Sequence, residues 1–155
     1  MSWRYTPYIL PMLVAAFISA VLALYAYRRR AVSGATAFII LSAALSLWSL
    51  GYALEIGAAT LAAKVFWAKV QYIGIVIVTP AWLAFSLQYT GRSEWLTRRN
   101  LLFLAIIPSI TLSLAWTTET HGLIWPAYSL ATEGPFLALE VSHIFGFGFI
   151  PLTLT

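Results

Sequence analysis

Between residues 7 and 117 the chain is four apolar runs of about membrane length, broken by short polar turns, and nothing else in it constrains the fold as tightly. In hydrocarbon every backbone N–H and C=O must find a partner within the protein, so a spanning run is a helix or a strand of a closed barrel. Runs of about 20 residues match helices across a roughly 30 Å core, whereas barrel strands need only about 10. Helices are therefore expected at about 7–27, 35–55, 62–89 and 101–117, with a partial fifth at 143–155. The composition agrees: 61% of the residues are hydrophobic and 9% charged, against about 25% charged in a soluble domain. The expected fold class is all-α, a polytopic membrane helix bundle forming one domain over 1–155 that is truncated at its C-terminal end.

Local signals mark the helix ends and faces. The first run is too long for a signal-peptide core and has no small-residue cleavage site behind it, so it reads as a retained helix. In the second, Ser42, Ser46, Ser49, Ala53 and Gly57 share a face that lets a neighbouring backbone come close, while Trp48, Tyr52 and Glu55 lie on another. The third contains Pro80, which removes one backbone bond, and Gly91 follows it at a good C-cap position. Along it Lys64, Trp67, Gln71, Gly74, Val78, Trp82, Phe85 and Tyr89 recur at helical spacing, which lipid alone does not require. Pro108 lies in the fourth. Beyond it, LIWPAYSL and FLALEV alternate around Glu133-Gly134-Pro135, as in a short extracellular β-hairpin.

Charge gives the chain a direction. Arg28, Arg29 and Arg30 with Arg92, Arg98 and Arg99 are six of the nine basic residues. The positive-inside rule puts loops 28–34 and 91–100 in the cytoplasm and the N-terminus outside. The net charge of +4 is thus a topology signal rather than a nucleic-acid footprint. Enzyme signatures are missing: there is no phosphate loop, HExxH pair or GxSxG elbow, no cysteine, no aspartate, and five scattered glutamates. No catalytic residue and no cofactor is expected. His121 and His143 match no standard ligand spacing, so no metal site is expected either.

The interesting ionisable groups are Glu55, Lys64 and Lys69. A charge at mid-membrane costs about 2.5–3.5 kcal/mol on insertion scales, so such groups pair or face the protein interior. Two readings fit. In one, Glu55 and Lys64 form an interfacial ion pair that fixes the hairpin of the second and third helices. In the other, Glu55, Lys69, Trp67 and Tyr72, with Gln71 and Trp82 from the helical stripe, line a pocket for a ligand or lipid. Gln71 stands out because an amide in hydrocarbon wants a hydrogen-bond partner.

Several motifs resemble one family. They are GYALE at 51–55, K-x-FW-x-K-x-QYIGI at 64–75, P-x-W-x-x-F-x-LQYTGR at 80–92, WLTRR at 95–99, IP-x-x-T at 107–111 and T-x-x-H-x-L-x-W at 118–125. Together they resemble the N-terminal seven-transmembrane sensor region of membrane histidine kinases, over roughly 34–141. The resemblance implies a multi-pass input module in a prokaryotic plasma membrane, taking a small-molecule or lipid signal. It also implies a cytoplasmic PAS and kinase core, or a cyclase, as the output in a full-length parent, and it is compatible with a homodimer. The alternative is a small multi-pass transporter or channel subunit. That class would need inverted repeats or a polar path at mid-depth, and 75–79 is almost wholly apolar.

Overall fold

The computed structural model describes residues 6–118, 127–131 and 138–142. Four helices long and apolar enough to cross a membrane make up the bundle: α1 (Ile9–Arg28), α2 (Ala35–Gly57), α3 (Leu61–Tyr89) and α4 (Arg98–Trp116). At about 1.5 Å per residue, even α4, the shortest with 19 residues, reaches roughly 28 Å. The 29 residues of α3 make it the longest, about 43 Å. Short connections alternate the helix directions. The ends of α1 and α3 and the starts of α2 and α4 thus share one end of the bundle. A strand β1 (Ala127–Ala131) pairs antiparallel with β2 (Ala138–Ser142), Ser129 opposite Glu140. The turn expected around Glu133 and the partial helix expected at 143–155 lie outside the described residues.

Local chemistry sets the boundaries. Thr97 caps α4, its hydroxyl accepting the Asn100 N–H at 3.3 Å, so the helix starts at Arg98, a few residues ahead of the apolar run. Thr60, in extended backbone, does the same for α3 by accepting from Ala63 at 3.4 Å. The end of α3 is a Schellman motif: Arg92 N–H reaches the Leu87 carbonyl at 2.8 Å and Gly91 N–H the Gln88 carbonyl at 3.3 Å. That geometry requires the left-handed backbone of Gly91, φ 74°. Pro80 and Pro108 both sit inside unbroken helix, each withholding one N–H from the carbonyl four residues before it.

The core lies along α2, which packs on α1 on one side and on α3 on the other. Toward α1, buried Ser42 and the Ser46 hydroxyl, which donates to the Ala16 main-chain carbonyl at 2.9 Å, use the small-residue face. Elsewhere α1 and α4 turn large apolar side chains outward, Phe17 70% and Ile107 74% exposed, as lipid-facing helices do. The one buried residue of α4 is Ala115. Helix α4 touches α3 far more sparsely than α2 does.

Candidate functional site

Two glycines bring α2 and α3 backbone to backbone. A Cβ on Gly74 would stand 2.6 Å from the Ala44 carbonyl oxygen and 2.9 Å from Trp48 N. From the other side, a Cβ on Gly51 would meet Gln71 Cβ at 2.9 Å and its backbone N at 3.3 Å. In hydrocarbon, where apolar burial gives helices little reason to associate, such close approach supplies the packing that does. It also sets the position of the polar groups. Glu55 is one turn beyond Gly51 on the same face of α2, so the Gln71 side chain lies beside it, and the Gln71 amide Nε2 donates to the Glu55 carboxylate Oε2.

The two lysines play a matching part. Lys64, 1% exposed, donates its ammonium to the Glu55 main-chain carbonyl at 2.8 Å. The ion pair that the sequence suggests is thus replaced by a charge-assisted bond to the backbone, and the Glu55 carboxylate takes the Gln71 amide instead. The reason lies in the helix end: the Glu55 carbonyl shares the Ala58 N–H, at 3.2 Å, with Leu54, and carries the negative end of the α2 dipole, which favours a cation. Lys69, also buried, lies within 3.5 Å of the Trp116 carbonyl at the last residue of α4. Each lysine of α3 therefore meets the C-terminal end of a different neighbour, and both do so at the end of the bundle away from the arginines.

Glu55, Gln71 and Lys69 sit at this end with Trp67 and Tyr72, which are half-buried. Trp67 packs edge-on against Phe66 with ring centroids 5.3 Å apart, and its Nε1 is buried without a hydrogen-bond partner among the described residues. Trp82 is elsewhere. It is 59% exposed, stacks toward Phe85 at 6.3 Å, and lies about 22 Å along α3 from Trp67. Lys64, Gly51 and Gly74 belong to the cluster although the ligand set read from the sequence omits them. The glycines carried a visible signal in the GYALE and QYIGI motifs, but no spacing rule says that they face each other. His121 and His143 fall outside the described residues. Among the described residues no group of three His, Cys, Asp or Glu side chains could hold a metal ion.

A second feature lies nearer the arginine end. An apolar groove of about 370 Å³ runs between α3 and α4, with Ile77, Pro80 and Ala84 on one wall and Leu101, Ala105 and Pro108 on the other. Small side chains on both walls and the sparse α3–α4 contact leave it open. The family model for the N-terminal 7TM region of histidine kinase matches residues 11–154 of this chain. Neither a curated protein nor a solved structure matches it.

Proposed function

The chain belongs to the family of N-terminal 7TM regions of histidine kinases, and from that premise we propose that it is the membrane-embedded sensory input domain of a two-component kinase. It takes a small-molecule or lipid signal at the Glu55 end and relays it to a cytoplasmic output domain. The observation that carries this is the polar cluster. A buried lysine, a carboxylate and an amide are concentrated where α2 meets α3, in a bundle that is otherwise apolar. Polar groups at such depth are costly to keep, and in membrane helices they mark sites of function.

The mechanism follows from what these groups do. Glu55, Gln71 and Lys64 tie the end of α2 to the start of α3, while Lys69 ties α3 to α4. A ligand that takes one of these bonds, or accepts from Trp67 Nε1, stabilises one arrangement of the helices over another. Moving such an equilibrium from 1:99 to 99:1 needs about 5.5 kcal/mol of differential binding. Hydrogen bonds to charged groups contribute roughly 1.5–3 kcal/mol each, so about two to four suffice. Helix α3 is continuous from the cluster to Tyr89 and would carry the shift to the arginine loops, which lie inside in the proposed orientation.

The test uses the kinase that carries this region, reconstituted in nanodiscs, with autophosphorylation as the readout. Gln71→Leu and Lys69→Met are expected to change the basal rate or abolish the response to signal while leaving insertion intact. Unchanged rates and responses in both variants would refute the proposal.

A further inference from the structure

We propose that the groove between α3 and α4 holds one acyl chain of an anionic phospholipid whose phosphate rests against Arg98, Arg99 and Arg92. This site is separate from the polar cluster and does not depend on the sensor reading. The groove lining extends over 101–112 on α4, about 16 Å by helix rise, which is half of a roughly 30 Å hydrocarbon core and so the depth of one leaflet. Its walls are apolar apart from Ser109. It also continues the lipid-facing surface of α4, where Leu102 is 70% exposed, so a chain enters it sideways from the bilayer.

Charge selects the headgroup. Arg98, Leu101, Ala105, Pro108 and Leu112 follow one another at helical spacing, so Arg98 stands on the groove face about one turn above Leu101. Arg99 lies beside it, with its guanidinium 5.6 Å over the Phe103 ring. Arg92, exposed and closing the Schellman motif, lies in the turn that joins the two walls. With Glu94 as the one acid in the 91–100 loop, that stretch keeps a net positive charge. Guanidinium groups match phosphate oxygens in a paired geometry, and basic pockets between membrane helices take anionic headgroups for that reason. A zwitterionic headgroup would bring its own cation into the same space.

Photo-crosslinking tests this on the full chain in nanodiscs of phosphatidylcholine with a minor fraction of phosphatidylglycerol. A diazirine is carried on the acyl chain of either lipid, and the labelled peptides are mapped by mass spectrometry. Phosphatidylglycerol is expected to label the α3 and α4 groove residues several-fold more than phosphatidylcholine. Arg98→Gln should cut that preference by about fivefold, equivalent to about 1 kcal/mol per basic residue at the surface, and should not move the labelled positions. Ala105→Phe, which fills the groove, should remove groove labelling by both lipids. Equal labelling by the two lipids would overturn the proposal, and so would labelling that avoids the groove in the parent chain, the result if another helix of the protein occupies it. Arg98 is exposed, so its variant remains informative if Ala105→Phe does not fold.

Discussion

Replacing Gly74 by alanine sets two opposed effects against each other, and the structure says which wins. Alanine is worth about 1 kcal/mol more than glycine inside a helix. Against this, the new Cβ would stand 2.6 Å from the Ala44 oxygen, 2.9 Å from Trp48 N and 3.0 Å from Trp48 Cβ. Two of those atoms are α2 backbone and have no rotamer to escape into. Restoring ordinary contact at 3.4 Å moves the helices apart by about 0.8 Å at the oxygen. A gap of 0.5–1 Å forfeits roughly a quarter to a half of each dispersion contact along the seam, and overpacking typically costs about 1–3 kcal/mol. The separation also stretches the Gln71–Glu55 bond and forfeits part, about 1 kcal/mol, of what such a bond to a carboxylate contributes. The propensity gain offsets that last loss, so Gly74→Ala should destabilise by about 1–3 kcal/mol. Equilibrium unfolding by SDS in mixed micelles, followed by far-UV circular dichroism, measures it. Gly51→Ala should cost less, because its first obstacle, Gln71 Cβ, stands at 2.9 Å rather than 2.6 Å and the backbone atoms only at 3.3 Å, so the helices need part less. A neutral or stabilised Gly74→Ala would mean that propensity wins and that α2 and α3 do not meet as described.

The remaining predictions use the same unfolding assay unless stated. Gln71→Leu removes the donor to a half-buried carboxylate and should cost about 1–3 kcal/mol, whereas the double variant Gln71→Leu/Glu55→Met, which removes both partners, should recover most of it. A double variant no better than the single one would show that the pair does not interact. Ser46→Ala deletes the 2.9 Å bond to the Ala16 carbonyl and should cost about 0.6 kcal/mol, the usual value between membrane helices; a loss above about 2 kcal/mol would indicate a second role. The chain has no cysteine, so Ser33→Cys, Ser93→Cys and Thr117→Cys can each be probed on intact cells with a membrane-impermeant maleimide. Labelling at Thr117→Cys alone is expected for the proposed orientation, and the inverse pattern would reverse it.

The helix count was legible because membrane length and apolarity are properties of single segments. The Gly91 cap is local too, whereas the caps at Thr60 and Thr97 emerge only in the structure. The small-residue face of α2 announced a close backbone approach; on it Ser46 bonds the Ala16 carbonyl of α1, while the closest backbone approach is to α3, at Gly51 and Gly74. What spacing could not give was the partner of each group. Lys64 looked like a mate for the Glu55 carboxylate because both are charged and close in level. It meets the main-chain carbonyl instead, a helix-end acceptor that takes the Ala58 N–H at 3.2 Å and still has room for the ammonium, and that no side-chain inventory contains. Trp82 joined the candidate site through a stripe drawn along one face of α3. Packed helices cross at an angle, so on a helix of 29 residues the covered strip drifts around the surface. Lys64 and Trp82 lie five turns apart at the same angular position, one buried and the other exposed. The α3–α4 groove had no sequence signal of its own, because it arises from two apolar walls, each with small residues among larger ones, brought together by the turn at 90–97.

The lysines also bear on orientation. Counted as charges, Lys64 and Lys69, like Arg4, oppose the arginine loops and weaken the topology signal. In the fold both are buried, each directed at the carbonyl end of a neighbouring helix. Such groups balance helix-end dipoles and present little charge to a membrane surface. Arg28, Arg29, Arg30, Arg92, Arg98 and Arg99 are all exposed at the opposite end. Two of them rest over aromatic rings of α1, Arg29 on Tyr25 at 5.8 Å and Arg30 on Tyr27 at 5.3 Å, as at a headgroup boundary. Among the described residues, every exposed basic side chain is therefore at one end. Burial of the lysines sharpens the charge asymmetry on which the proposed orientation rests. Lys64→Gln should accordingly weaken the α2–α3 junction and leave the maleimide pattern unchanged. If it inverted that pattern instead, the lysine would be acting as a topology charge and its capping role would be wrong.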